Sequence, residues 1–265
     1  MVGYSRQVGM LETSNLTKRF GGHVAVNGVS CRFAPGTLTA IVGPNGAGKT
    51  TYFNLISGQM PSSAGDVLFD GRSLSRLGAS ARTHAGLGRS FQLTNLFPNL
   101  TVLENLRLAV QATRSGSHRY GLNLWSIWSD HTELTNRAWE LLKATRLDAR
   151  ARDVAASLPH GDQRKLEVAL LMALEPTVFM FDEPTAGMNA AEAPVILDLI
   201  RALKKDKSKI ILLVEHKMDV VRELADRIIV LHDGTLVADG KPADVIAMPV
   251  VQEAYLGVTG TGRPQ

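Results

Sequence analysis

Hydrophobic and polar residues alternate through the opening part of the chain, in the segments MLETSNL, VAVNGVSCRF and TLTAIV. A period of two is typical of β-strands, and the Pro35–Gly36 pair marks a turn between the second and third of them. A glycine-rich loop and a helical pattern to about Ser57 follow, and then GDVLFDG, a predicted strand that an Asp-Gly turn closes. The pattern therefore predicts a β-rich opening.

The period changes to that of helices between about Leu74 and Leu174, where TVLENLRLAVQAT and ELTNRAWELLKAT place apolar residues at helical spacing. Beyond them, TVFMFDE and KIILLVEH are predicted to be buried strands, each followed by a helix, and DRIIVLHDGTLVADG is predicted to be a hairpin. Alternating strands and helices indicate an α/β fold with a largely parallel sheet, into which a helical lobe is inserted.

Composition narrows the class of protein. The 265 residues are 45% hydrophobic and 20% charged, which is ordinary for one globular domain with a smaller lobe. No apolar run reaches the roughly 18 to 20 residues that cross a bilayer, and the start has no secretory pattern, so a cytoplasmic location is expected. A lone Cys31 and scattered histidines exclude a disulfide and a zinc cluster. A metal ion is therefore expected to arrive with a substrate.

Basic residues are spread along the chain and give a formal net charge of +4. The densest run is RALKKDKSK. Such a run is more often a solvated helix end than a patch for nucleic acid or anionic lipid, and we interpret it so.

Residues 43–50, GPNGAGKT, form the pattern GxxxxGK[ST] between the predicted strand TLTAIV and a helix. The glycines let successive backbone N–H groups point at phosphate oxygens, and the helix adds its positive end. Lys49 is then expected to hold the β- and γ-phosphates, and Thr50 to bind Mg²⁺. A chance match in such a chain has odds of about one in a hundred before its context is counted. A nucleotide site is the better interpretation than a plain strand-to-helix turn.

Two acids follow directly on the apolar residues of VFMFDEP. Ligands of open α/β sheets bind at the carboxyl ends of strands, so Asp182 is predicted to bind Mg²⁺ and Glu183 to polarise water. KIILLVEH delivers His216 towards the same edge. Gln92, in GRSFQL, is neutral and long enough to reach a metal-bound water. Two acids at a strand end are as easily a solvated turn, a histidine there is more often an ordinary polar rim residue, and Gln92 alone indicates nothing. The glycine loop favours the catalytic interpretation.

These motifs, in this order, resemble the ATP-binding subunits of ABC transporters over nearly the whole chain. The glycine loop is followed by Gln92 as the Q-loop residue, VFMFDE as the Walker B strand, AGMN at 186–189 as the D-loop and His216 as the switch histidine. The resemblance implies a P-loop NTPase with a RecA-like, mostly parallel sheet, an N-terminal antiparallel β lobe and a helical lobe.

The resemblance also implies domain limits. It places one ATP-binding domain at residues 9–257, with the helical lobe at about 93–174, and a loose tail at 258–265.

ATP and Mg²⁺ are the implied cofactors, with catalytic roles for Glu183, His216 and Gln92 and metal binding by Thr50, Gln92 and Asp182. Phe20 looks like the aromatic residue that stacks on adenine, although an isolated Phe is more often part of a core. The residues expected to contact the nucleotide are Phe20, Asn45, Gly46, Ala47, Gly48, Lys49, Thr50 and Thr51, with Gly161 and Asp162 contacting the ATP of a facing subunit.

LPHGDQ stands where the family has its signature loop, LSGGQ, which binds the γ-phosphate of ATP held by the opposite subunit. We expect the chain to turn at Gly161 and a helix to start at about Asp162, aimed at that phosphate. Pro159 occupies the serine position, so a hydroxyl contact is absent, and His160 replaces a glycine. One lost hydrogen bond to a charged group costs about 1.5 to 3 kcal/mol. The site that holds this loop is therefore expected to hydrolyse ATP slowly.

Several longer segments are similar to the ATP-binding protein of branched-chain amino-acid importers, namely LTKRFGGHVAVNGVS, FQLTNLFPNLTVLENL, LEVAL and PVVQEAYLG. Urea importers and the lipopolysaccharide exporter ATPase share the ending, so those systems stay as alternatives. The resemblance implies a second ABC ATPase in an ATP-sandwich dimer, two membrane permeases, an indirect link to a periplasmic solute-binding protein and no nucleic acid. It implies a peripheral position on the cytoplasmic face of the inner membrane.

Two other classes compete with this interpretation. A soluble ABC ATPase acting on nucleic acid typically has two cassettes or a long coiled coil, and this sequence has neither. A subunit that binds nucleotide without hydrolysing it is favoured by Pro159 and opposed by Glu183 and His216. The insertion GLNLWSIWSD, which carries Trp125 and Trp128, is expected to pack within the helical lobe rather than against a membrane subunit.

Overall fold

The computed structural model describes residues 9–90, 97–114 and 132–256. Gln92, the tryptophan-bearing insertion and the predicted tail at 258–265 lie outside these ranges. The chain divides into two compact units. The first comprises the chain up to Leu87, Thr177–Glu183 and Lys204 onward, and the second comprises Gly88–Pro176 and Pro184–Leu203.

The elements follow the predicted alternation. The strands are β1 (Leu11–Phe20), β2 (His23–Phe33), β3 (Leu38–Val42), β4 (Ala64–Phe69), β5 (Arg72–Ser73), β6 (Leu87–Arg89), β7 (Val178–Asp182), β8 (Ile210–Val214), β9 (Arg227–His232) and β10 (Thr235–Gly240). The helices are α1 (Lys49–Ser57), α2 (Ala79–His84), α3 (Val102–Arg114), α4 (Thr132–Ala144), α5 (His160–Ala173), α6 (Ala193–Lys204), α7 (Met218–Leu224), α8 (Pro242–Ile246) and α9 (Pro249–Leu256).

The strands form two sheets, as the resemblance implied. The antiparallel sheet has the order β2-β1-β4-β5, and the larger sheet has the order β10-β9-β3-β8-β7-β6. In the larger sheet, β3 runs parallel to β8 and β9, and β7 runs parallel to β8. Every residue of β3, β7 and β8 is buried, which explains the continuous apolar runs in β7 and β8. β3 comes from the alternating segment TLTAIV, and its one polar residue, Thr39, is buried as well.

The register of the parallel strands sets the position of the site. Asp182 at the end of β7 lies opposite Val214 at the end of β8. Val214 in turn pairs with Ile41, one residue before the end of β3. Because the three strands end at one level, the residues that follow each of them emerge at the same edge of the sheet.

The predicted Asp-Gly turn and the predicted hairpin are both present, and the hairpin also turns at an Asp-Gly pair. Asp70–Gly71 joins β4 to β5 and Asp233–Gly234 joins β9 to β10, and each Asp and Gly has a positive φ, between 46° and 72°. Two successive residues in that region match a type I′ turn, whose twist suits a tight hairpin.

Helices dominate the second unit, where the two predicted helical segments form α3 and α4. Their apolar faces pack with that of α5 around residues such as Leu106, Leu142 and Leu166. Thr101 and Glu104 start α3 with a reciprocal cap, because Glu104 accepts from the Thr101 N–H at 2.7 Å and Thr101 Oγ1 accepts from the Glu104 N–H at 3.2 Å. Within the described ranges, no helix of either unit is both long and apolar enough to cross a bilayer.

Candidate active site

The glycine loop leads from β3 into α1. Gly46 and Gly48 have φ of 82° and 93°, a left-handed conformation that favours glycine. A Cβ on Gly48 would also overlap the carbonyl oxygen of Ala25 on β2. Asn45 and Gly46 are exposed at the tip of the loop, whereas Ala47 is buried beneath it. The loop therefore presents its backbone to solvent at the positive end of α1.

Lys49 begins α1 and is buried, with 6% of its surface exposed. Its ammonium donates to the carbonyl oxygens of Gly43 at 2.6 Å and Pro44 at 2.8 Å. Burial lowers the pKa of Lys49 below its ordinary value, and the nearby carboxylates of Glu183 and Asp182 oppose that shift. The cation is thus held against its own loop, close to Asp182 and Glu183, for which the sequence predicts Mg²⁺ binding and catalysis, respectively.

The hairpin turn between β9 and β10 braces the loop, a contact that the sequence did not predict. The N–H of Gly234 donates to the carbonyl of Ala47 at 3.2 Å, and the carbonyl of Gly234 accepts from Asn27 at 2.8 Å. A Cβ on Gly234 would lie 2.8 Å from the Ala25 carbonyl oxygen. An Asp-Gly pair in sequence indicates a turn, but nothing in it indicates which loop the turn will contact.

Glu183 and His216 meet at the carboxyl edge of the sheet. Nε2 of His216 lies 2.5 Å from Oε1 of Glu183, so that this ring nitrogen donates to the carboxylate. Glu183 has a φ of 47°, and its N–H donates to the Val214 carbonyl at 2.9 Å. A left-handed glutamate is strained, and such strain is concentrated at functional sites. Asp182, one residue earlier, is buried at the end of β7.

Glu215 is a further site residue that the sequence analysis missed. Its buried carboxylate accepts from the backbone N–H of His216 at 2.8 Å and of Lys217 at 3.2 Å. These bonds fix the chain directly after β8, where His216 must be held to reach Glu183. The only sequence signal was an acid immediately before the histidine.

Phe20 lies at the end of β1 with 47% of its surface exposed. The Lys18 ammonium sits 5.2 Å from the ring centroid and donates to the Pro61 carbonyl at 2.8 Å. A half-exposed ring can stack on a planar base, whereas a core phenylalanine cannot. The core alternative for Phe20 therefore does not apply.

The predicted metal ligands include two described residues, Thr50 and Asp182. Thr50 is exposed in the first turn of α1. Across the described ranges, no cluster of three or more His, Cys, Asp and Glu side chains forms a metal cage. A hydroxyl and a carboxylate are hard oxygen donors, and Mg²⁺ usually takes one or two protein ligands together with phosphate and water. The donor set thus fits Mg²⁺ carried by a nucleotide.

The signature segment differs from the expectation in its backbone. The helix α5 starts at His160 with Pro159 as its N-cap, rather than at about Asp162. Gly161 lies within the first turn and has no positive φ, so the expected turn at this glycine is wrong. Proline has a fixed φ that suits a helix start, so the helix begins about two residues earlier than expected. No side-chain hydrogen bond caps this end.

The carboxylate of Asp162 is paired with cations of its own unit. Its carboxylate pairs with Lys165 Nζ at 2.8 Å and with Arg150 Nε at 2.8 Å. Only 8% of Asp162 is exposed. Two cations therefore offset the charge of the one acid in the first turn of α5.

Comparison with known proteins agrees with this geometry. A family model described as ABC transporter matches residues 26–186, and one described as branched-chain amino acid ATP-binding cassette transporter matches residues 235–260. The chain is 37% identical over 249 residues to the high-affinity branched-chain amino acid transport ATP-binding protein LivG of Escherichia coli (strain K12), covering 94% of this chain and 98% of that protein.

Two solved structures are also similar to this chain. The ADP conformation of an ATP-binding cassette of an ABC transporter matches with a TM-score of 0.77 and 28% identity over 94% of this chain and 99% of that one. A dimeric post-hydrolysis cassette bound to ADP and Pi matches with a TM-score of 0.75 and 28% identity over 88% and 98%. With its glycine loop, its acids at the end of β7 and these relatives, the chain belongs to the ABC transporter family, as an ATP-binding and ATP-hydrolysing protein.

Proposed function

We propose that this chain powers an importer of branched-chain amino acids from the cytoplasmic face of the inner membrane. The solute is supported by the name of the relative LivG and by the family match at residues 235–260. The catalytic part rests on one observation, the 2.5 Å contact between Glu183 and His216 at the edge that also carries the Lys49 loop.

ATP binding uses the exposed backbone of the glycine loop and the start of α1. The Lys49 ammonium exchanges the carbonyls of Gly43 and Pro44 for β- and γ-phosphate oxygens. The exposed ring of Phe20 stacks on adenine. Asn45, Gly46, Ala47, Gly48, Thr50 and Thr51 complete the contacts around the phosphates.

Hydrolysis places a water between Glu183 and the γ-phosphate. Glu183 accepts a proton from the water as its oxygen attacks phosphorus, and the bond to the ADP oxygen breaks. His216 holds the Glu183 carboxylate in position, and Glu215 holds the backbone of His216. Thr50 and Asp182, with Gln92, would hold Mg²⁺, and that ion would supply positive charge to neutralise the phosphates of ATP.

A second ABC ATPase, identical or homologous, supplies the other half of each site. The dimeric cassette among the similar structures supports such a pair. ATP adds negative charge between two phosphate-binding faces, so the pair closes with ATP and separates after hydrolysis. The start of α5, at Gly161, faces the γ-phosphate of the second subunit, while Asp162 keeps its charge paired. The helical lobe, through Gln92, passes the motion to two permeases, which receive solute from a periplasmic binding protein.

A slow half-site is the second candidate function that an observation favours. Pro159 caps α5 without any side-chain hydrogen bond, and it has no hydroxyl to give a phosphate. In a pair of unlike subunits, the site completed by this loop then hydrolyses slowly, while the site built on Glu183 stays active.

The test is transport by the assembled complex. We expect liposomes that contain this chain, its second ATPase, its permeases and its binding protein to take up labelled leucine, isoleucine and valine when ATP is present. Glu183→Gln should slow hydrolysis by about 10²- to 10⁴-fold, whereas the exposed Glu253→Gln on α9 should not. Uptake of urea but not of these amino acids would overturn the solute, and full hydrolysis by Glu183→Gln would overturn the catalytic assignment.

A further inference from the structure

Two segments of the second unit contact each other through a pair of glycines. The His160 ring lies on Gly187, where a Cβ would come within 2.9 Å of Cε1 and 3.2 Å of Nδ1. The Glu192 carboxylate lies on Gly161, where a Cβ would come within 2.6 Å of Oε1 and overlap Oε2. Each glycine thus leaves a space that a side chain of the other segment fills. Gly161 is needed because a Cβ there would overlap the Glu192 carboxylate, and not because its φ is positive.

The turn that leads into α6 aims Glu192 at this position. Asn189 Oδ1 accepts from the N–H groups of Ala191 and Glu192, both at 3.0 Å. Glu192 Oε2 accepts in return from the N–H of Asn189 at 3.3 Å. This is a reciprocal capping arrangement, which orders the glutamate side chain.

The charge of Glu192 lies beside the first turn of α5. The N-terminus of a helix attracts anions through its unpaired N–H groups and its dipole. Asp162 is already paired with Lys165 and Arg150. Glu192 is therefore the carboxylate of this unit that lies against Gly161, at the helix end where the proposed function requires a γ-phosphate.

We propose that Glu192 is an autoinhibitory occupant of the signature site and must withdraw before the ATP of the second subunit can reach Gly161. The proposal rests on the proposed function. A carboxylate and a γ-phosphate repel each other at short range, so the negative charge of Glu192 beside Gly161 opposes the approach of the phosphate. Glu192 thereby raises the ATP concentration at which the pair of ATPase subunits closes.

Glu192→Gln tests the charge while keeping the cap. The glutamine oxygen can still accept from Asn189, so α6 keeps its start. We expect the ATP concentration for half-maximal dimer formation to fall by about five- to tenfold, which corresponds to about 1 to 1.4 kcal/mol. The measurement is light scattering of the ATPase pair in a Glu183→Gln background, where ATP persists. Asp198→Asn on α6 is the matched control and should leave that concentration unchanged, because Asp198 pairs with Arg201 and not with Gly161.

A structural role alone predicts a different result. If Glu192 only caps α6, Glu192→Gln will close the dimer at the wild-type ATP concentration, and this outcome overturns the proposal. A rise in that concentration overturns it as well. Should Glu192→Gln fail to fold, Glu192→Asp shortens the side chain and withdraws the charge from Gly161, with the same expected direction.

Nucleotide binding to each open subunit separates this proposal from the one it rests on. A fluorescent ATP analogue should bind wild type and Glu192→Gln equally, since the Lys49 loop is untouched. If wild type does not bind the analogue, the proposed function fails. If wild type binds the analogue and dimerises, but Glu192→Gln dimerises at the same ATP concentration, only the proposed role of Glu192 fails.

Discussion

The helices α1 and α5 both start at a place suited to phosphate, yet the two starts are built differently. α1 has no acidic residue in its first turn, and Gly48 in a left-handed conformation precedes it. α5 follows a proline and carries Asp162 in its first turn. Side chains of its own unit, Lys165, Arg150 and Glu192, fill the space around that turn.

The difference indicates how each start can act. Backbone geometry forms the α1 cradle, so the cradle exists before any nucleotide arrives. At α5, charged side chains surround the helix start. Its electrostatic environment therefore changes when one of these side chains moves away and another anion takes its place. The first is a fixed binding site, and the second is suited to a contact that forms and breaks during a cycle.

Of the changes that test this difference between α1 and α5, removal of the Lys49 cation at α1 should have the largest effect. Lys49→Ala deletes two charge-assisted hydrogen bonds to phosphate, each contributing roughly 1.5 to 3 kcal/mol. We expect at least about 100-fold weaker binding of a fluorescent ATP analogue in titration. Lys205→Ala, an exposed lysine beyond α6, is the control and should bind normally. Wild-type affinity in Lys49→Ala would mean that α1 does not hold the phosphates.

Restoring a hydroxyl at α5 should have a smaller effect. Pro159→Ser supplies a hydroxyl that can cap the helix and donate a hydrogen bond to a phosphate oxygen. Hydrolysis by the assembled complex should therefore rise by about tenfold. Phosphate release measures the effect. Pro242→Ser at the start of α8 is the matched control, since it changes a helix-start proline away from the signature segment. Unchanged hydrolysis in Pro159→Ser would indicate that the missing hydroxyl does not limit turnover.

The protonation of Lys49 should have the smallest effect. Burial lowers its pKa in the free protein, and phosphate favours the charged form. Between the lowered pKa of free Lys49 and its pKa in the ATP complex, which is an alkaline range, ATP binding should take up less than one proton. The affinity for ATP should therefore weaken as pH rises through that range. The free energy of unfolding should rise with pH between the lowered pKa and the ordinary lysine value, because the unfolded chain binds the extra proton.

Calorimetry in two buffers of different ionisation enthalpy measures this uptake. At neutral pH the two buffers should give the same heat. Equal heats in the alkaline range too would show that the pKa of Lys49 does not change on binding.

Much of the first unit could be predicted from the sequence because its signals are local. Alternation in TLTAIV predicted the strand before Gly43, and the apolar run before Asp182 predicted a buried strand. The glycine spacing up to Lys49 predicted the loop. The start of α5 could not be predicted as well. Helix-start signals at Pro159, Gly161 and Asp162 lie within three residues of one another, and the family pattern placed the turn at the wrong one.

By itself, the sequence determined the order of strands and helices, the loop at Lys49 and the strand ends that carry Asp182, Glu183 and His216. These depend on residues close together in the chain, where periodicity and glycine spacing act directly. Only the tertiary structure decided that Gly234 braces the loop and that Glu192 lies against Gly161. Those contacts join residues far apart in the chain, and their distance is set by how the elements pack, which no local pattern records.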